Sequence, residues 1–265
     1  MDYLFQSWEQ LKSDFKKYNV FLFLDYDGTL SPLAATPGEA LLSEENKMLL
    51  KRLAQAPRCR VAVVSGRTLP DLRQRVGLKN VIYAGNHGFD IEGPGLRFKS
   101  VCPPQEKSIL KKMKDLLAAY LSSIDGVLVE DKGTVISVHY RLVGVKDRPL
   151  VKKVFHHVCR SYDKEKKIEI FFGKKVMEVR PRTAWDKGVA TLWLLRRQKF
   201  DGRGRVLPVY VGDDTTDEDA FGVLCDKGPT ILVSPRPWAS LARYYLRDTR
   251  EVTEFLGEMV EFLED

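Results

Sequence analysis

Asp25 and Asp27 stand one residue apart in Asp25-Tyr26-Asp27-Gly28-Thr29-Leu30, directly after the unbroken apolar run Val20-Phe21-Leu22-Phe23-Leu24. Two carboxylates leaving the end of a buried strand together repel one another and take up protons unless a cation compensates them. That spelling calls for a divalent metal with oxygen ligands. A plain surface turn is the competing reading, because Asp and Gly are common turn residues. Three further stretches carry groups of matching chemistry: Ser65-Gly66-Arg67, Lys187 in Trp185-Asp186-Lys187-Gly188, and the acidic run Gly212-Asp213-Asp214-Thr215-Thr216-Asp217-Glu218-Asp219. Asp25 and Asp213 can hold magnesium, Ser65 can donate to a phosphate oxygen, and Lys187 can oppose negative charge as it builds in a transition state. Taken singly, each is weaker: Ser-Gly-Arg reads as a cap or turn, the lysine as a solvated helix start, and the acidic run as a helix N-terminus.

What joins them is the kind of element that precedes them. Arg60 to Val64 and Val206 to Val211 read, like Asn19 to Leu24, as buried strands, and Val81 to Ala84 is another that ends in Gly85-Asn86-His87-Gly88. Between them lie helical patterns, one started by Ser43-Glu44-Glu45 and one by Thr68-Leu69-Pro70-Asp71, each with a capping hydroxyl. Strand, helix, strand, helix, strand implies a parallel sheet with right-handed crossovers, whose ligands gather outside the carboxyl ends of the strands. Thr230 to Val233 and Tyr244 to Leu246 read as two more strands, before a helix through Val252, Phe255, Met259 and Phe262. Leu4, Trp8, Leu11 and Phe15 share one face of a helix that docks on the core or serves a partner protein.

Between Pro103 and Val179 the grammar becomes helix, hairpin, helix, hairpin, the pattern of a small antiparallel sheet backed by two helices. In its strands Ser137, His139 and Arg141 share one face, opposite Ile136, Val138 and Tyr140, so one face packs on helices and the other is wet or binds something polar. The fold class is therefore α/β: a Rossmann-like, doubly wound parallel core from residues 1–103 and 180–265, with an inserted α+β domain over 104–179. Prolines at Pro103-Pro104 and Pro181 mark the joints.

The composition suits a soluble globular protein. Hydrophobic residues make up 44% and charged residues 30% of 265 positions, neither disordered nor membrane-spanning in character. Asp2, Gln6, Glu9 and Gln10 interrupt the opening residues where a signal peptide is apolar, which points to a cytoplasmic protein. Cys59, Cys102, Cys159 and Cys225 have no metal-ligand or redox spacing and read as reduced packing residues. The net charge of +7 is spread in short groups such as Lys111-Lys112 and Lys164 to Lys167, interrupted by acids, which reads as solvated helix faces rather than a nucleic-acid surface.

In the order of Asp25-Tyr26-Asp27-Gly28-Thr29, Ser65, Lys187 and Gly212-Asp213-Asp214, the chain resembles the haloacid dehalogenase superfamily of phosphatases, whose cap domain lies between the second and third of these motifs. More narrowly it resembles the trehalose-6-phosphate phosphatases, through Gly85-Asn86-His87-Gly88, Val129-Glu130-Asp131-Lys132-Gly133, Val138-His139-Tyr140-Arg141, Trp185-Asp186-Lys187-Gly188 and Gly212 to Phe221. The resemblance implies Asp25 as nucleophile, Asp27 as general acid and base, and Lys187 with Ser65 on the phosphate. It implies magnesium held by Asp25, the Asp27 carbonyl and Asp213, with Asp214 and Asp217 in support. Ser65, Gly66, Arg67, Asn86, His87, Glu130, Lys132 and Glu178 are the substrate-binding positions it implies, the last three recognising sugar hydroxyls. The alternatives are a phosphatase for another sugar phosphate, such as a glycosyl phosphoglycerate, or a non-catalytic sugar-phosphate sensor. A third is a partner of a trehalose-6-phosphate synthase, docking through the Leu4/Trp8/Leu11/Phe15 stripe.

Overall fold

A computed structural model of the protein describes residues 1–164, 167–183, 185–197, 200 and 204–264; of the basic group at Lys164 to Lys167, Glu165 and Lys166 lie outside the described residues. In chain order the elements are β1 (Asp2–Tyr3), α1 (Trp8–Phe15), β2 (Asn19–Asp25), α2 (Glu44–Gln55), β3 (Cys59–Val64), α3 (Leu69–Val76), β4 (Ile82–Gly85), β5 (Asp90–Gly93), β6 (Leu96–Lys99), α4 (Pro104–Leu121) and β7 (Leu128–Asp131). They continue as β8 (Ile136–His139), α5 (Arg148–Lys164), β9 (Ile168–Gly173), β10 (Val176–Pro181), α6 (Lys187–Arg197), β11 (Val206–Gly212), α7 (Glu218–Leu224), β12 (Thr230–Val233), β13 (Tyr244–Leu246) and α8 (Thr249–Glu264). Two compact units result, one of Met1–Leu33, Ala40–Lys99 and Trp185–Asp265, the other of Ala34–Glu39 and Ser100–Ala184.

The first unit is built on a nine-stranded sheet in the order β1-β13-β12-β11-β2-β3-β4-β5-β6. Pairing is parallel from β1 through β4 and antiparallel only for β5 and β6 at the edge. The sheet is thus mixed, not purely parallel as the strand-helix alternation suggests. Gly93-Pro94-Gly95, a strong turn signal, connects this additional hairpin. Val20 to Leu24 are fully buried, as expected of a central strand covered on both faces. From β2 the chain winds one way to β3 and β4, and from β11 the other way to β12 and β13. The direction reverses between β2 and β11, and their carboxyl ends are where a ligand site belongs.

Helix starts follow the side chains that cap them. Ser43 Oγ accepts from the Asn46 amide at 3.1 Å and Thr68 Oγ1 from the Asp71 amide at 3.4 Å, with Pro70 in the first turn of α3. The N-terminal apolar stripe is covered by the chain itself: Trp8 packs edge-on against Phe255 and donates from Nε1 to Glu258 at 2.6 Å, and Phe15 meets Phe262. Leu4, Trp8, Leu11 and Phe15 are all buried, so the idea that this stripe serves a partner protein loses its basis.

The second unit is a four-stranded antiparallel sheet in the order β7-β8-β10-β9. Ile136, Val138, Met177 and Val179 pack with Leu110, Met113 and Leu117 of α4 and Val151 and Phe155 of α5. The period of two along each strand therefore leaves Ser137 and Glu178 on the opposite face. Among the described residues no helix is long and apolar enough to cross a membrane.

Candidate active site

At the end of β2 the chain turns sharply. Gly28 has a φ of +88°, a conformation that residues with side chains rarely adopt, and its amide donates to the Ser31 carbonyl at 2.7 Å. A Cβ on Gly28 would lie 1.9 Å from Asp213 Oδ2, so the missing side chain is what lets the loop after β2 meet the loop after β11. Carboxylate oxygens of Asp25, Asp213 and Asp217 lie within 4.8 Å of one another. Lys187, the first residue of α6, donates from Nζ to Asp25 Oδ1 at 2.8 Å and to Asp217 Oδ1 at 2.8 Å.

The cluster holds three buried carboxylates against one buried ammonium. Burial pushes the Asp25 carboxyl well above the ordinary range; Lys187 opposes this, while the charges of Asp217 and Asp213 add to it. Burial alone would lower Lys187, but Asp217 and Asp25 outweigh it and hold the ammonium protonated well beyond its usual range. Asp217 is already saturated. Its Oδ1 also accepts from the Tyr210 hydroxyl at 2.9 Å, and its Oδ2 accepts from the amides of Asp213 and Asp214, both at 3.0 Å. It braces the loop, and Asp25 and Asp213 are the other two carboxylates of the cluster that could hold a cation. A negative surplus of oxygen donors fits a hard divalent ion.

The other two acids expected near a metal use their side chains elsewhere. Both oxygens of Asp27 accept from Arg67, from Nε at 2.7 Å and Nη2 at 2.6 Å, and Asp214 Oδ1 accepts from the Thr215 amide at 2.8 Å as a cap. Two carboxylates spaced i and i+2 leave the backbone in different directions, which a sequence motif does not reveal.

Ser65 follows β3, whose Val64 pairs with Asp25, so it is the next-door neighbour of the cluster. Its Oγ accepts from the Arg67 amide at 3.2 Å, and Arg67 Nη1 also donates to Asp71 at 2.7 Å. Asn86 and His87 both sit in the left-handed region, held by Asn86 N donating to Arg67 O at 2.6 Å and His87 N to Ser65 O at 2.8 Å. A Cβ on Gly66 would fall 2.7 Å from the His87 ring. Ser65, Gly66, Arg67, Asn86 and His87 are thus one interlocked pair of loops beside Asp27.

In the second unit Glu130, Lys132 and Glu178 also meet. Lys132 Nζ donates to Glu178 Oε1 at 3.0 Å and stands 3.9 Å from Glu130 Oε2. Ser137 Oγ donates to the same Glu178 oxygen at 2.5 Å, and His139 Nε2 lies 2.9 Å from Glu130 Oε2.

Residues 23–250 match the family model described as trehalose-phosphatase. The chain belongs to the trehalose-phosphatase family. It is 39% identical over 267 residues to the probable trehalose-phosphate phosphatase D of Arabidopsis thaliana, which spans 96% of this chain and 70% of that protein. Trehalose-phosphate phosphatase B of the same plant is 37% identical over 258 residues, 93% of this chain and 68% of the relative. Among solved structures, the C-terminal domain of C. albicans trehalose-6-phosphate phosphatase superposes with a TM-score of 0.83 at 26% identity, covering 96% of both chains. The fold is accordingly that of the haloacid dehalogenase-like phosphatases, an α/β core with a small α+β domain.

For a trehalose-phosphatase family member, several contributors escape a sequence reading. Tyr210 lies inside a buried strand and reads as core, yet its hydroxyl, kept protonated by burial and by Asp217, braces Asp217. Trp185 Nε1 donates to the Gly88 carbonyl at 2.7 Å, tying the approach to Lys187 to the Asn86-His87 loop. Only its place two residues before Lys187 hints at that.

Proposed function

We propose that the protein is a magnesium-dependent phosphomonoester hydrolase that converts trehalose 6-phosphate to trehalose and inorganic phosphate. Asp25 attacks phosphorus and the bond from phosphorus to the sugar oxygen breaks, leaving an aspartyl phosphate. Asp27 gives the departing sugar oxygen its proton. It then takes a proton from the water that attacks the same phosphorus, and Asp25 is regenerated as phosphate leaves. A carboxylic acid cannot accept both guanidinium bonds as strongly as a carboxylate, so each proton taken up by Asp27 loosens its pair with Arg67. Lys187 opposes charge on the phosphoryl oxygens, with Ser65 as a second donor. Magnesium, held by Asp25 and Asp213, would supply the positive charge that allows a phosphate dianion to approach a carboxylate nucleophile.

In this reading the first unit does the chemistry and the second, expected over 104–179, recognises the sugar through Glu130, Lys132 and Glu178. Charged acceptors and donors suit hydroxyl groups, because charge-assisted hydrogen bonds are strong. A cytoplasmic location fits four cysteines none of which forms a disulfide. The single observation that carries the proposal is Lys187 set 2.8 Å from both Asp25 and Asp217 at the reversal of strand order. A binding-only module has no use for that nucleophile, ammonium and cation site together. The test is phosphate release from a panel of sugar phosphates with and without magnesium. Magnesium-dependent release with trehalose 6-phosphate preferred is the expected result; preference for another sugar phosphate, or none, refutes the substrate assignment.

A further inference from the structure

β8 sends two side chains to the polar face of the small sheet, and each is bonded to a different acid. Ser137 is the direct cross-strand neighbour of Glu130 on one side and of Glu178 on the other. The pairing sets two carboxylates on one face, one strand to either side of a serine. Like charges at that spacing repel and spread their rotamers apart unless something holds them. Lys132 stands between them but is much nearer Glu178, at 3.0 Å against 3.9 Å. Glu178 and Lys132 are nearly sealed, with side chains 9% and 7% exposed, while Glu130 is 35% exposed and His139 20%. Glu130 is thus the member with solvent access and the weaker hold on the lysine.

From this arrangement we infer that Ser137 and His139 are positioning residues of the sugar-recognition cluster, Ser137 fixing the inner carboxylate of Glu178 and His139 fixing the outer carboxylate of Glu130. The inference rests on the reading that Glu130, Lys132 and Glu178 bind sugar hydroxyls. Each β8 donor engages one carboxylate oxygen, Glu178 Oε1 at 2.5 Å and Glu130 Oε2 at 2.9 Å. A carboxylate has about four acceptor sites, so anchoring one oxygen stops the group from rotating and leaves acceptor capacity for a ligand hydroxyl. The bond to His139 is also the main reason that Glu130 stays below the usual carboxyl range, with burial opposing and Lys132 assisting. Held ionised, Glu130 only accepts, which is what a hydroxyl donor requires. Neither donor belongs to the apolar core of the unit, which lies on the other face, so removing one need not unfold the sheet.

The experiment compares Ser137→Ala, His139→Ala and His139→Gln with Glu130→Ala, Lys132→Ala and Glu178→Ala, on trehalose 6-phosphate and on p-nitrophenyl phosphate, with melting curves for each. Ser137→Ala and His139→Ala should raise KM for the sugar phosphate about three- to tenfold with kcat within about twofold and the aryl phosphate unaffected. His139→Gln, which keeps a donor near the position of Nε2, should recover much of the loss. Because each donor acts through its acid, His139→Ala added to Glu130→Ala, and Ser137→Ala added to Glu178→Ala, should cost nothing further. Unchanged KM in both β8 variants, with the three cluster variants impaired on the sugar phosphate alone, overturns the positioning role and leaves the sugar site standing. Parallel loss on both substrates, additive double variants, or a fall in melting temperature that accounts for the loss makes the role structural and also overturns it. If the cluster variants themselves show no sugar-selective loss, the sugar site falls and the positioning role with it.

Discussion

The protein contains two clusters with nearly the same chemical inventory, acids around a lysine, built in opposite ways. Around Lys187 the acids come from the last residue of β2 and the segment after β11, and the side chains are almost wholly buried, at 7% for Asp25 and 3% for the lysine. Around Lys132 they come from the two strands that flank β8 in a small sheet, with Glu130 partly exposed to solvent. The first has three carboxylates for one ammonium and no other cationic side chain bonded to Asp25 or Asp217 among the described contacts; the second has two, with an imidazole beside the outer one. A surplus of buried negative charge asks for a metal ion. A nearly balanced, half-open set is suited to neutral hydroxyls instead. Carboxylates around a lysine thus differ in chemistry through burial and charge count.

The largest effect belongs to Asp25, the proposed nucleophile. Asp25→Asn should keep the fold, by circular dichroism, yet lose phosphate release by on the order of 10⁴-fold or more on every substrate, since an amide cannot form an acyl phosphate. Next comes chelation, which should abolish turnover on both trehalose 6-phosphate and p-nitrophenyl phosphate until magnesium is restored. Added magnesium at a hundred times its dissociation constant should stabilise the folded protein by about 2.7 kcal/mol. Asp213→Asn should lose that thermal shift and Glu178→Ala should keep it; equal shifts in both would remove the distinction between the clusters.

A third change attacks the loop contact. Gly28→Ala places a methyl group on Asp213 at a positive φ, so stability should fall by roughly 3 kcal/mol or more and activity with it, measured by denaturant titration and phosphate release. On the other cluster, Glu178→Ala should cost about 1.5 to 3 kcal/mol in kcat/KM for the disaccharide, roughly ten- to a hundredfold, and far less for the aryl phosphate. The smallest effect belongs to Gly133 at the β7–β8 tip, with φ +85° but nothing within 4 Å of an added Cβ. Gly133→Ala should cost about 1 kcal/mol of backbone strain, a shift of about 2 °C in melting temperature, with the metal-dependent chemistry intact.

A feature of this fold is legible in the sequence where its signal is local. The apolar run of β2, its terminal Asp25 and the strand ends at Ser65 and Asp213 are legible, because each buried strand stops at residues no buried strand would tolerate. The polar face of β8 is legible from the alternation of Ser137 and His139 with Ile136 and Val138. Their partners are not, since Glu178 lies 41 positions from Ser137 and is reached only through the register of β8 with β10. The direction of a side chain is equally hidden. Asp25 and Asp27 look equivalent as text, yet one meets Lys187 and the other Arg67. The cover of the N-terminal stripe is hidden for the same reason, as Trp8 and Glu258 are 250 positions apart. Of four cysteines read as packing residues, Cys59 and Cys159 are buried, but Cys225 is exposed.

The position of β2 between β3 and β11 bears on how the protein comes off the ribosome. One neighbour of β2 emerges soon after it, while the other waits for the whole second unit to be translated. Asp25 and Lys187 are 162 positions apart. At 5 to 20 residues per second that is a delay on the order of ten to thirty seconds. Throughout that interval Asp25 stands without Lys187 and without Asp213. The cluster is complete only once β11 has slotted in beside β2, so it is among the last features of the fold to form.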